Sequence, residues 1–245
     1  MKKMKLAFAV AAIAACATVL AAEETSAETT ADTQGLGAIG WTPVQVGLFA
    51  PVSIPWGCDW DVKGFDLDLF YMEAVKLQGF GISGIASRVR DRQDGVLVSL
   101  ACNWNEADVY GVGVTLGANL RFGDVYGIDV ASFGMRNMMK GADFNLIASY
   151  QKEFTGWQTS CICNFTEGSC TSASFSLGLN MARVETGLQA ATINTADELN
   201  GVQIGIVNIA HECPWGLQVG LINIILDNKV KILPIVNGYF GDGEE

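Results

Sequence analysis

The sequence predicts an all-β protein, a β-solenoid-like stack of about 11 short repeats. Three observations predict this fold. Glycines recur every 14 to 16 residues, apolar residues alternate with small or polar ones after each glycine, and an Asn recurs at one later position. An alternation of period two is that of a β-strand, whereas the repeated glycines and β-branched residues would destabilise a helix.

The clearest repeats begin at Gly187, Gly201 and Gly216, and less regular ones precede them. We expect their shared residues to be structural, with the Asn side chains stacking on and hydrogen-bonding to their copies in neighbouring units. These repeat positions are Gly187, Gln189, Asn194, Gly201, Gln203, Gly205, Asn208, Gly216, Gln218, Gly220 and Asn223. The earlier units begin at Gly64, Gly79, Gly95, Gly111, Gly127, Gly141, Gly156 and Ser172.

Each unit contains a strand with one apolar side. In the unit that begins at Gly216, residues Leu217, Val219 and Leu221 are apolar, whereas Gly220 between the last two is small. The mean hydropathy of +0.29 is high for an exported chain. Two interpretations of the apolar side follow: a tightly packed β-core, or a surface that meets lipid.

An up-and-down β-barrel of about 12 strands, of the outer-membrane type, is the alternative architecture. Residues 122–124 resemble a hairpin turn, and the chain nearly ends on an aromatic strand at residues 238–240. The solenoid is favoured because single units resemble one another, whereas an antiparallel meander would repeat as hairpins of about 30 residues.

The N-terminus predicts export. Residues 1–22 combine a basic start with an apolar stretch, as in a secretory signal peptide, and the alternative is a lipoprotein signal with a lipid anchor at Cys16. Residues 23–40 are predicted to be a disordered linker, residues 41–240 a single β-repeat domain and residues 241–245 an acidic tail. The predicted location is the bacterial cell surface, the outer membrane or the periplasm.

The charge of the chain indicates which binding partners are unfavourable, and its cysteine content indicates disulfides. The formal net charge of −11 disfavours nucleic acid and anionic lipid, and no cofactor or metal is predicted. Six cysteines follow the signal, and an even number in an exported chain favours disulfides. Cys163 and Cys170 form the predicted disulfide because they would close the turn between them.

Catalytic chemistry has little support. His211 is the only histidine, and no nucleophile is placed beside it. Four acids at Asp59, Asp61, Asp66 and Asp68 have a spacing that could hold calcium. Because Asp66 and Asp68 occupy the polar side of a strand, we expect them to be solvated, and we predict no enzymatic activity.

The runs at residues 201–208, 216–225 and 233–240 resemble bacterial surface-repeat proteins whose units read G-(L/V)-Q-(I/L)-G-(L/F)-(I/V)-N. The opening at residues 43–52 is similar to theirs, as is the Asp-Val-Tyr-Gly element at residues 108–111 and 124–127. The resemblance implies an exported bacterial envelope protein and implies no established activity.

These observations together predict a non-enzymatic structural or interaction protein of the cell envelope. Its flat ladder faces would contact an envelope or surface protein or a polymer. The alternative function is that of an outer-membrane β-barrel acting as a pore or an anchor.

Overall fold

The structure, a computed structural model, describes residues 39–241. This range is built from strands, and no helix in it is long and apolar enough to cross a membrane. The strands are β1 (Gly40–Phe49), β2 (Val52–Ile54), β3 (Trp60–Ser83), β4 (Ala86–Ser99), β5 (Cys102–Asn105), β6 (Val109–Thr115), β7 (Ala118–Arg121), β8 (Val125–Ser160), β9 (Cys163–Ser176), β10 (Leu179–Ala190), β11 (Ile193–Ile225) and β12 (Ile232–Phe240).

Some sequence predictions fall outside the described residues. The signal peptide at residues 1–22 and the lipid anchor at Cys16 lie there, as do most of the linker at 23–40 and of the acidic tail at 241–245. Gly40, inside the predicted linker, already begins β1.

The described chain is all-β and forms a β-solenoid of about 10 turns, as predicted. Successive turns pair in parallel, with Gly79 opposite Gly95 and Gly187 opposite Gly201. An up-and-down barrel requires antiparallel neighbours, so the parallel register contradicts that alternative for these strands. Antiparallel pairs occur where β2 meets β1 and where β12 meets β11.

The repeat glycine is needed because consecutive turns approach closely at that position. Gly111 has φ +142°, and a Cβ atom there would lie 2.0 Å from the carbonyl oxygen of Gly95 in the preceding turn. Both the backbone conformation and the close approach exclude larger residues. Turns of different length stay in register through irregularities, such as those between Ala74 and Lys76 and between Ala182 and Val184.

The chain divides into two compact units, which meet in sequence at Phe133 and Gly134. Both belong to the region predicted as a single domain. Each unit has its own buried apolar cluster. The cluster of the first unit contains Val62, Met72, Ala74, Leu77, Val89 and Leu97, and that of the second contains Ala196, Leu199, Ala210, Cys213 and Ile225.

Polar ladders fill the rest of the interior. In the second unit, the Asn164 amide donates to the Asn180 side-chain oxygen at 3.0 Å, and Asn180 donates to Asn194 at 3.2 Å. Asn194 donates to Asn208 at 2.9 Å, and Asn208 donates to Asn223 at 2.8 Å. Each turn therefore satisfies buried amide groups of the next one, and these bonds require turn-to-turn register.

Candidate functional site: an outward apolar face

The apolar side of each repeat points away from the interior. Leu116 and Leu177, each five residues after a repeat glycine or its equivalent, are 72% and 76% exposed. By contrast, Leu97, two residues after Gly95, is 0% exposed. Of the two interpretations of the apolar side, the structure therefore favours a surface over a core.

We define the outward apolar face as the residues one, three and five positions after each repeat glycine or Ser172. None of these residues is charged. In the first unit they are Phe65, Leu67, Leu69, Phe80, Ile82, Gly84, Val96, Val98, Leu100, Val112, Val114, Leu116, Ile128, Val130 and Ser132. In the second they are Ala142, Phe144, Leu146, Trp157, Thr159, Cys161, Ala173, Phe175, Leu177, Leu188, Ala190, Thr192, Val202, Ile204, Ile206, Leu217, Val219 and Leu221.

Strand β1 extends this face in the first unit. Val44 lies opposite Phe65, and Val46 lies opposite Leu67. Both valines are nearly half exposed, at 48% and 46%. Because β1 runs parallel to β3, its apolar side continues the pattern of the repeats by one more row.

Side chains of neighbouring turns stack on the face. The Phe65 and Phe80 rings lie 5.9 Å apart with an interplanar angle of 14°, and Trp157 and Phe175 lie 4.7 Å apart. The Trp157 indole also donates a 2.8 Å hydrogen bond to the Thr159 hydroxyl. Since these rings are held by their neighbours, little side-chain entropy remains to be lost when a partner covers them.

The face is large for a monomer. With rows about 4.8 Å apart and alternate residues about 6.7 Å apart, six rows of three positions cover on the order of 600 Å² in each unit. The largest apolar patch on a typical monomer is roughly 300–600 Å², and such patches often mark interaction sites. Each unit therefore reaches the upper end of that range.

Charges of the first unit lie on a different side of the coil. Arg88 Nη2 is 2.6 Å from Glu106 Oε1, and Arg88 Nη1 is 3.7 Å from Glu73 Oε1. Arg90 also contacts Glu73, at 3.5 Å, and Asp59. These acids and bases neutralise one another locally. Glu73 and Arg88 each lie nine residues after the repeat glycine of their unit, beyond the strand residues that form the outward apolar face. The charged side chains and the outward apolar face are therefore on different sides of the coil.

The acids at Asp66 and Asp68 correct one sequence prediction. They were expected to be solvated, but they are 0% and 1% exposed. They lie two and four residues after Gly64, and in this fold those positions point inward. The prediction was wrong because it took the polar side of the strand for the solvent side.

The other candidate residues are His211 and the cysteines. His211 is exposed on β11, and in the described part of the chain no three His, Cys, Asp or Glu side chains converge as metal ligands would. Cys163 and Cys170 are free thiols in the structure, and burial raises the pKa of both. Their pairing as a disulfide stays a prediction.

Comparison of the chain with protein-family models, curated proteins and solved structures finds no match. The resemblance to bacterial surface-repeat proteins therefore stays a prediction. What the outward apolar face binds has to be argued from its own chemistry.

Proposed function

We propose that the protein is a non-enzymatic structural or interaction protein of the cell envelope, and that its outward apolar face is the contact surface. The fitting partner is another flat apolar sheet, and a second copy of this chain presents one. The observation that supports this most is the absence of charge from the whole face, together with exposures such as the 76% of Leu177.

The size of the face suits such packing. Sheets pack about 10 Å apart face to face, and a standard interface buries roughly 800 Å² per partner. Covering on the order of 600 Å² of apolar surface contributes about 15 kcal/mol before the costs of association are subtracted. These costs are estimated at about 4–15 kcal/mol, so burial of the face of one unit leaves a net gain at the lower end of that range and none at its upper end.

Placement in the envelope rests on the N-terminal sequence. The basic start and the apolar stretch of residues 1–22 support export. The acidic chain, with a formal net charge of −11, makes nucleic acid an unfavourable partner.

A second candidate is an anchor at the outer membrane, without the membrane-spanning barrel that the parallel register contradicts. The outward apolar face favours an anchor, because an exposed apolar patch of this size often marks an interaction surface, including one for membranes. In this case the outward apolar face would meet lipid acyl chains instead of protein.

A sizing experiment tests the proposal and separates the two candidates. Residues 23–245 are purified without detergent and examined by size exclusion with light scattering, then mixed with phosphatidylcholine vesicles and floated. We expect a discrete oligomer that dissociates in the double variant Leu116→Lys/Leu177→Lys. The control variant Thr171→Lys changes an exposed residue outside the outward apolar face and should leave the oligomer intact. A monomeric parent protein, or an oligomer that persists in the double variant, would contradict self-packing. Flotation of the parent with vesicles that is lost in the double variant would favour the anchor.

A further inference from the structure

The first repeat buries two carboxyl groups that no basic side chain of residues 39–241 neutralises. Asp66 and Asp68 are 0% and 1% exposed, and within this range none of their four carboxylate oxygens has a hydrogen-bond partner. A buried carboxylate without a partner is strongly unfavourable, so the group either stays protonated or needs a compensating charge.

The interior supplies a further acceptor at the same place. Gln45 on β1 lies opposite Asp66, is 0% exposed, and its Oε1 has no partner. Its Nε2 faces the Ser53 hydroxyl at 3.4 Å. Adjacent rows of a sheet are about 4.8 Å apart, so the amide oxygen and the carboxylates share one inward-facing side. Even with its amide turned round, Gln45 would offer two protons to four carboxylate oxygens and no positive charge.

Gly47 makes room for this cluster. It lies opposite Asp68, and a Cβ atom at Gly47 would be 2.2 Å from Asp68 Oδ1. The carboxylate therefore occupies space that any other residue at position 47 would fill.

Other buried aspartates in the chain are compensated by arginine. Arg121 Nη2 lies 3.2 Å from Asp129 Oδ1 within the first unit. Within the second, Arg136 contacts both oxygens of Asp143, at 2.8 and 2.9 Å. The Asp66–Asp68 pair has two acids and five acceptor oxygens, counting Gln45 Oε1, and no ion pair to a Lys or Arg side chain among the described residues.

We propose that Asp66, Asp68 and Gln45 form a binding site for one divalent cation, and that the cation is Ca²⁺. Two carboxylates balance its charge. Ca²⁺ takes about 6–8 oxygen ligands in irregular geometry, and these side chains supply five, with the remainder left to water or backbone oxygens. Mg²⁺ demands near-ideal octahedral geometry and keeps several waters, which suits a closed interior less well.

Without a cation, the two carboxyl groups resist ionisation. Burial, followed by the charge of Asp68, raises the pKa of Asp66 to about 8, and burial raises the pKa of Asp68 to about 6. The interior as it stands thus opposes ionisation of both groups, and a bound cation would reverse that opposition.

The test uses residues 23–245 treated with EDTA and then dialysed. We expect calorimetry with CaCl₂ to give one binding event per chain and thermal unfolding to move to higher temperature as Ca²⁺ is added. Asp66→Asn and Asp68→Asn should each weaken Ca²⁺ binding by about tenfold or more, because each removes a charged ligand. Asp197→Asn, on an exposed acid of β11, serves as the matched control and should bind as the parent does.

Two results would overturn the proposal. One is a folded parent protein that neither binds Ca²⁺ nor gains stability from it, and the other is binding retained by both Asn variants. Tighter binding of Mg²⁺ than of Ca²⁺ would overturn the choice of ion. Because Asn removes a buried charge, the cation-free variants should be at least as stable as the parent. Lost binding in a folded variant then identifies the ligand. The site does not depend on the outward apolar face, so either proposal can fail alone.

Discussion

The Gln203 amide donates a 2.9 Å hydrogen bond to the side-chain oxygen of Gln189, one turn earlier. Gln218 extends the ladder by donating to Gln203 at 2.8 Å. All three side chains are at most 1% exposed. These three interior amides are therefore linked by stacking of like residues, and the apolar residues of the same strands are left on the outside.

The Asn ladder predicts a large loss of stability when Asn208 is substituted. Asn208 accepts from Asn194, donates to Asn223 and donates to the Val219 carbonyl oxygen at 3.0 Å. We expect Asn208→Ala to lower the free energy of unfolding by about 3 kcal/mol, from three lost hydrogen bonds of about 1 kcal/mol each. Asn200→Ala, whose amide bonds only locally to Glu198, is the control in urea unfolding and should cost clearly less. Equal losses would mean that the ladder adds no stability.

Sequence reasoning could reach the fold class because the signals for it are local. Period-two alternation and a fixed glycine spacing identify strands and turns regardless of which side is buried. The assumption that apolar residues are inside gives the wrong answer to which side of each strand faces the interior. The range of side-chain sizes at one repeat position was a usable signal. The position one residue after the glycine varies from Ala142 to Trp157, a range that a narrow packed coil cannot hold. The calcium interpretation of Asp66 and Asp68 was set aside for the same reason, since both were assigned to solvent.

The orientation of the two sides is directly testable by paired Leu substitutions. Leu97 is 0% exposed, whereas Leu116 is 72% exposed. Leu97→Ala should destabilise the protein by about 2–5 kcal/mol, because it leaves a cavity. Leu116→Ala should change the stability of the monomer by less than about 0.5 kcal/mol. The reverse order in chemical unfolding would show that the outward apolar face is in fact the core.

Crowding predicts the effect of valine at two repeat glycines. A Cβ atom at Gly205 would lie 2.3 Å from the Ala191 carbonyl oxygen, and one at Gly220 would lie 2.2 Å from the Gly205 carbonyl oxygen. Gly205→Val and Gly220→Val should each cost about 3 kcal/mol or more, since backbone in the neighbouring turn must move. Ser176→Ala is the control, because position 176 also lies four residues after the start of its unit and already carries a Cβ atom. Unchanged melting temperatures in both Val variants would contradict the close approach of the turns.

The Arg136–Asp143 pair should behave as a buried ion pair. Asp143 also accepts hydrogen bonds from Asn145 at 2.7 Å and Ser149 at 2.5 Å. Asp143→Asn should cost about 3–5 kcal/mol, because it removes the negative charge that contacts the buried Arg136 guanidinium. The double variant Arg136→Met/Asp143→Leu should recover much of that loss. A double-mutant cycle that proves additive would rule out coupling between the two side chains.

Glu185 predicts a pH dependence of stability. It is 0% exposed, lies opposite Cys170 on β9 and Leu199 on β11, and accepts a 3.0 Å hydrogen bond from Gln189. Burial raises its pKa above the ordinary value of 4.5, so the folded protein holds the proton more tightly than the unfolded chain does. The free energy of unfolding should therefore fall as pH rises from 4.5 through the raised folded-state pKa.

Glu185→Gln keeps the shape of the side chain and removes its charge, so the stability of this variant should match that of the parent at acid pH and exceed it at neutral pH. Cys170, whose pKa is raised mainly by burial and then by the Glu185 charge, stays a neutral thiol over this range. Urea unfolding of both proteins across pH measures the difference, and parallel curves would show that Glu185 does not titrate differently on folding.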